Sequence, residues 1–254
     1  MNNKDIARKA LEIGAIKIDP VNFFRELNTN KPIYTELGNF LHNYDDRWLV
    51  IESLVDIIGE KCNGIATISD SGASIATSLV EHYSCDYIFL RDRSREYEVN
   101  EGDRIDTVKT TNKFYLDCVY DESKLIGKEF ILVDSILSKG QAVFRAISAL
   151  RLKEIKCNKF LCIFNIGYKG TRDRMNGIKV FNDYGQKLDP KVEVSSVFDL
   201  ETILDVAVED GRINSGQAGN IRFWRDNYYG WRRRYGLYSD NYRQWTMRYT
   251  NVNR

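Results

Sequence analysis

The chain of 254 residues, 43% hydrophobic and 29% charged with only three prolines, has the composition of a soluble globular protein long enough to bury a sizeable core, and long disorder is excluded. No run approaches the ~20 apolar residues of a membrane span, and the opening MNNKDIARKALEIGAIKI holds no secretory apolar stretch, so a cytoplasmic address is expected. The net charge of +1 hides an asymmetry: residues 222–254 carry eight arginines and two aspartates, a surplus of +6 that leaves the remainder near −5.

In chain order, the first forty residues read as helical to about Ile13 and then turn-rich around Asp19-Pro20 and Lys31-Pro32, a small N-terminal subdomain over 1–40. Five apolar, β-branched segments follow as predicted strands: GIATIS (64–69), YIFLR (87–91), FILVD (130–134), FLCIFNIG (160–167) and VEVSSVF (192–198). Beside them lie the helix-like stretches RWLVIESLVDIIGEKC (47–62), SIATSLVEHY (74–83), AVFRAISALRL (142–152) and DLETILDVAVEDG (199–211). In the last of these Asp199 is the expected N-cap and Gly211 the stop. Strands alternating with helices predict an α/β core over 41–211, a mostly parallel sheet covered on both faces. The stretch from Glu96 to Gly127 is polar and too long for an ordinary connection, and reads as a functional flap or a small excursion. The cysteines at 62, 85, 118, 157 and 162 are odd in number and free of CxxC spacing, so they read as reduced packing residues rather than a disulfide framework or a zinc cage. His42 and His82 are too few and too distant for a metal site, and read as surface or helix-end residues.

The segment FILVDSILSKGQA (130–142) carries the most chemistry. An apolar run ends on Asp134, a loop passes through Gly140, and a helix begins with Val143, Ile147 and Leu150 on one face. Unpaired N–H groups at such a helix N-terminus suit a phosphate, and a carboxylate at the strand's carboxyl end suits sugar hydroxyls. The plainer alternative is that Asp134 caps the helix and Gly140 merely permits a turn.

Several landmarks together resemble the type I phosphoribosyltransferases, specifically the orotate branch. ALEIGAIKI followed by KPIYTELGNF is similar to that family's leading helix and its SPxYxxLR-like segment. TISDSGASIA resembles the loop that holds the pyrophosphate end of phosphoribosyl pyrophosphate, LRDRSREYE the entry to the mobile flap, and ILVDSILSKGQA the VDDVITAGTA-type signature. The match covers roughly residues 6 to 211.

The resemblance implies a phosphoribosyltransferase-like parallel sheet with a small N-terminal hood, and transfer between phosphoribosyl pyrophosphate and a nucleobase-like acceptor in nucleotide metabolism, with Mg²⁺, often in a homodimer. Carried over by position, Asp134 and Ser135 take the place of the paired acids on the ribose hydroxyls. Ser138, Lys139, Gly140, Gln141 and Ala142 form the 5-phosphate loop, while Ser69, Asp70, Ser71 and Gly72 form the pyrophosphate loop. Arg91 opens the flap motif, Arg95 stands at the catalytic lysine and forms the catalytic set with Asp134, and Ile33 and Tyr34 fall in the base-binding segment. Metal would come through the substrate rather than through protein ligands.

The departures have physical consequences. Ser135 replaces a carboxylate, and exchanging a charge-assisted hydrogen bond of about 1.5–3 kcal/mol for a neutral one near about 1 loses roughly 1 kcal/mol. Arg95 cannot release a proton, but can stabilise charge on departing pyrophosphate. Asp92 would repel that pyrophosphate unless a metal stands between them. An alternative reading is therefore a non-catalytic ligand-sensing or structural protein on the same fold. The extension over 212–254 holds ten aromatics among its last thirty-three residues, interleaved with the arginines. That composition could bind single-stranded nucleic acid, but with no RNP, KH or zinc-knuckle pattern the preferred reading is packing against the parent domain or a partner subunit.

Overall fold

The computed structural model describes residues 2–26, 29–92, 96–101, 104–109, 114–117, 121–175, 192–227, 230 and 231. The N-terminal part runs α1 (Asn3–Glu12), β1 (Ile16–Ile18), β2 (Phe24–Glu26), β3 (Thr29–Lys31), β4 (Ile33–Thr35) and α2 (Asn39–His42). The segment read as turn-rich pairs with itself: β1 lies antiparallel to β4, Ile16 opposite Thr35, and β2 to β3. Both pairs are three residues long, too short to leave a period-2 signature.

The core continues with α3 (Tyr44–Ile58), β5 (Gly64–Thr67), α4 (Asp70–Tyr83), β6 (Asp86–Asp92), β7 (Glu96–Glu101), β8 (Arg104–Lys109), β9 (Phe114–Asp117), β10 (Glu129–Leu137), α5 (Gln141–Leu152), β11 (Lys156–Asn165), α6 (Lys169–Met175), β12 (Glu193–Asp199), α7 (Leu200–Glu209) and α8 (Ser215–Asp226). Six strands form one sheet in the order β12-β11-β10-β5-β6-β9, parallel throughout except for the antiparallel β6–β9 edge. The polar stretch after Glu96 holds an antiparallel hairpin, β7 on β8, before the chain returns as β9.

Side-chain alternation along the strands divides the core into two layers. Ile65, Val133, Leu161 and Ile163 face one layer with residues of α1, α3, α4, α7 and α8. Ala66, Leu132, Phe130 and Phe160 face the other with Val143, Ile147 and Leu150 of α5. Burial on both faces explains why these strands read as continuous apolar runs. Helix ends follow ordinary capping chemistry: Asn2, Asn43, Ser69, Asp199 and Asn214 each accept an N–H from the first turn of their helix. Gly211, at φ +68°, allows the turn that follows α7.

The start of the C-terminal extension packs onto the core. Trp224 and Trp231 are buried, edge-on to Tyr168 at 5.3 Å and Phe23 at 5.2 Å respectively. Arg222 and Arg225 both donate to Glu201 of α7, at 2.7 and 2.5 Å. Burial by itself would raise the Glu201 carboxyl, but the two guanidinium groups hold it below its ordinary value. Residues 232–254, with six of the tail's eight arginines, lie outside the described residues. Among the described residues no helix is long and apolar enough to cross a membrane.

Candidate functional site

The parallel sheet brings the carboxyl ends of β5 and β10 side by side, Thr67 opposite Val133, and so places the loop after β5 against the segment after Val133. Strand β10 runs three residues beyond Asp134, to Leu137, where the sequence reading had expected a loop. Asp134 therefore lies inside the strand, opposite Cys162 of β11.

Its carboxylate is 7% exposed. Oδ1 accepts the Ser69 hydroxyl at 2.5 Å and the Ser135 amide at 2.7 Å. Ser69 Oγ also accepts the Gly72 amide at 2.9 Å, so one hydroxyl both caps α4 and holds the acid. Ser71 Oγ lies 3.1 Å from Ser69 Oγ and 2.9 Å from Ser135 Oγ. Burial pushes the Asp134 carboxyl above its ordinary range, opposed by the hydrogen bonds from Ser69 and Ser135. Burial likewise raises the neighbouring Cys162 thiol, which stays a neutral packing group.

Gly72 is required by close approach: a Cβ there would stand 2.3 Å from Thr67 Oγ1 and 3.0 Å from both Asp134 Oδ1 and Ser69 Oγ. Thr67 is fully buried and its hydroxyl has no hydrogen-bond partner among the described residues.

Helix α5 differs from the other long helices. Its N-cap is Gly140 in the left-handed conformation, φ +70°, and no side chain caps it. Asp134 is thus not the helix cap, and the plainer alternative for that residue falls. The first-turn amides following Gly140 are left for an external acceptor, at the positive end of the helix dipole. Gln141 and Ala142 are exposed on that turn, as is Lys139 just before it, while Ser138 is half-buried.

Behind the loop stands Thr171 of α6, 3% exposed, whose hydroxyl donates to the Ser138 carbonyl at 2.9 Å. Its methyl would meet a Cβ added to Gly140 at 2.9 Å, as would Met175 Cε. The sequence reading missed Thr171, since nothing in KGTRD announces a contact 33 positions away. Thr171→Val is expected to orphan the Ser138 carbonyl and destabilise the fold by about 1–3 kcal/mol, which denaturant unfolding measures.

The remaining predicted residues make other contacts or lie outside the described residues. Asp70 is exposed in the first turn of α4. Arg91, on β6, pairs through Nε with Asp117 of β9 and lies 5.2 Å from the Phe89 ring. Ile33 is buried in the core, while Tyr34 is half-buried, with its hydroxyl on Glu36 at 2.8 Å and Lys17 Nζ 5.7 Å from its ring. Arg95 lies outside the described residues. Among the described residues no group of three His, Cys, Asp or Glu side chains could hold a metal ion.

A sheet with these loops at its carboxyl edge is a fold shared with solved phosphoribosyltransferases. No family model matches the chain. Over 226 residues it is 23% identical to the orotate phosphoribosyltransferase of Staphylococcus aureus (strain COL), covering 88% of this chain and 98% of that one. Among solved structures it is similar to Leishmania donovani UMP synthase, with TM-score 0.60 and 15% identity over 87% of this chain and 42% of that chain. It is also similar to orotate phosphoribosyltransferase from Aeropyrum pernix, with TM-score 0.56 and 16% identity over 82% and 99% of the two chains. The chain is thus similar at low identity to orotate phosphoribosyltransferases and shares its fold with a solved one.

Proposed function

We propose that the protein transfers a phosphoribosyl group from phosphoribosyl pyrophosphate to a nucleobase-like acceptor. The observation that carries this reading is the uncapped, glycine-led N-terminus of α5 three residues beyond the strand that ends in Asp134-Ser135-Ile136-Leu137, beside the Ser69-capped first turn of α4. The amides of Gly140, Gln141 and Ala142 hold the 5-phosphate, with Ser138 and Lys139 beside them. Asp134 and Ser135 take the ribose hydroxyls, and the α4 N-terminus with Ser69, Asp70, Ser71 and Gly72 takes the pyrophosphate. Ile33 and Tyr34, on β4, lie in the segment assigned to the acceptor.

In the reaction an acceptor nitrogen bonds to the anomeric carbon as that carbon's bond to the pyrophosphate oxygen breaks. The contribution of these residues is positioning and charge stabilisation. Arg91 and Arg95 offset charge on the departing pyrophosphate. A Mg²⁺ ion arriving with the pyrophosphate would neutralise charge and screen Asp70 and Asp92. A cytoplasmic homodimer accords with the same reading.

The decisive experiment is a product search across nucleobases incubated with phosphoribosyl pyrophosphate and Mg²⁺. A new nucleoside monophosphate with release of pyrophosphate supports the proposal; donor binding without any product refutes turnover. A second reading, a ligand-sensing protein without turnover, is favoured by one observation: Ser69 and the Ser135 amide already occupy Asp134 Oδ1. Under that reading the donor raises the melting temperature and no acceptor is consumed.

A further inference from the structure

At the opposite edge of the sheet, where the parallel strands begin, two cysteines meet. Gly64 of β5 lies opposite Asp86 of β6, so Cys62 and Cys85 precede the starts of two adjacent strands with a one-residue offset. For strands about 4.8 Å apart rising about 3.3 Å per residue, that offset puts the two Cα atoms about 6 Å apart, within the disulfide range. The two thiols influence each other's titration, and Cys62 Sγ donates to the Gly64 carbonyl at 3.4 Å. Both cysteines are half-buried, unlike Cys157 and Cys162, which lie in the core.

Beside this pair lies an open hollow of about 460 Å³ lined by Asn63, Asp86, Gly127, Lys128, Glu129 and Lys156. Asn63 follows Cys62 and Asp86 follows Cys85, so the hollow lies beside the chain segments that carry the two cysteines. The hollow faces away from the Asp134 cluster, and no part of the proposed transfer uses it.

We propose that Cys62 and Cys85 are a reversible dithiol–disulfide site, oxidised by a low-molecular-weight disulfide such as oxidised glutathione. The Cys62 thiolate attacks one sulfur of the small disulfide, forming a mixed disulfide and expelling one thiolate, which takes up a proton. The Cys85 thiolate then attacks Cys62 Sγ, forms the internal bond and expels the second small thiol. Two electrons and two protons pass from the protein to the oxidant. Burial raises both thiols, Cys85 to about 12, so both are held protonated at neutral pH and exchange is slow there and quicker in alkaline buffer. The bond ties the base of β5, which leads to the Ser69-capped first turn of α4, to the base of β6, which leads to Arg91.

The test incubates the whole protein with oxidised glutathione at mildly alkaline pH and maps disulfides by peptide mass spectrometry. The expected result is a Cys62–Cys85 cross-linked peptide that disappears with dithiothreitol, and a melting temperature raised by about 5 °C or more in the oxidised form. In Cys85→Ser, lacking the resolving thiol, Cys62 should instead retain a glutathione adduct. A wild-type map in which both thiols stay free to alkylation, or each carries its own adduct, overturns the proposal. So does cross-linking of either cysteine only to Cys118. The wild-type map decides the matter even if the variant fails to fold.

Discussion

Replacing Asp134 by asparagine is expected to lower kcat/KM for the transfer by about thirtyfold, roughly 1 kcal/mol for each of two hydrogen bonds, while raising thermal stability at neutral pH. The activity loss follows from the ligand side: two hydrogen bonds from sugar hydroxyls to a carboxylate become neutral ones, each charge-assisted bond being worth about 1.5–3 kcal/mol. The stability gain follows from burial. With the folded-state carboxyl above its ordinary value near 3.8, the native protein keeps a proton that the unfolded chain has released. Stability contributed by this group is therefore full below that ordinary value and is lost as pH rises through the raised folded one. Asparagine does not ionise, and its carbonyl still accepts from Ser69 and the Ser135 amide, so the gain should be present at neutral pH and vanish in acid. Melting curves across pH, alongside pyrophosphate release, check both halves. A loss of stability at neutral pH would mean that the carboxylate is held far better than its surroundings imply.

Gly72→Ala should be the most damaging single methyl near the site. The added carbon would stand 2.3 Å from Thr67 Oγ1, and Thr67 is fully buried and unable to swing into solvent. It would also press Ser69 Oγ and Asp134 Oδ1, each 3.0 Å away, and separate the pair that links the two loops. Overpacking of about 1–3 kcal/mol plus a weakened hydrogen bond near about 1 kcal/mol gives a loss of about 2–4 kcal/mol. That corresponds to roughly 5–15 °C in melting temperature for a chain of this size. Gly219, a helical glycine with nothing within 4 Å of its would-be Cβ, supplies the control. Gly219→Ala should be neutral or stabilising by up to about 1 kcal/mol. Equal effects at the two positions would show that the site loop yields and that Gly72 is not held in place.

The sequence made the central architecture legible because the parallel strands, buried on both faces, leave apolar runs that survive without knowledge of their neighbours. Asp199 and Gly211 were readable for the same reason: caps and stops are local, and the structure has Asp199 accepting from the Thr202 amide at 2.9 Å. Ser135, Ile136 and Leu137 were misread as loop because the polar pair Asp134-Ser135 interrupts the run. The strand continues there because Ser135 finds Ser71 and Leu137 finds the core. Site membership was suggested by motif order, but the hydrogen bond from Ser69 to Asp134 spans 65 positions and no local pattern encodes it. Cys62 and Cys85 were read singly as packing residues. Only the pairing of β5 with β6 brings them together.

The central claim is that the turn from Ser138 to Ala142 binds the phosphate of a pentose phosphate while Asp134 faces the sugar. Amide NMR of the whole protein titrated with ribose 5-phosphate tests it most directly. The Gly140, Gln141 and Ala142 amides should shift most, and saturably, with Asp134→Asn weakening binding without moving the site. Saturating ligand that leaves those three amides unmoved, or that shifts instead the residues around Lys128 and Lys156, would contradict it.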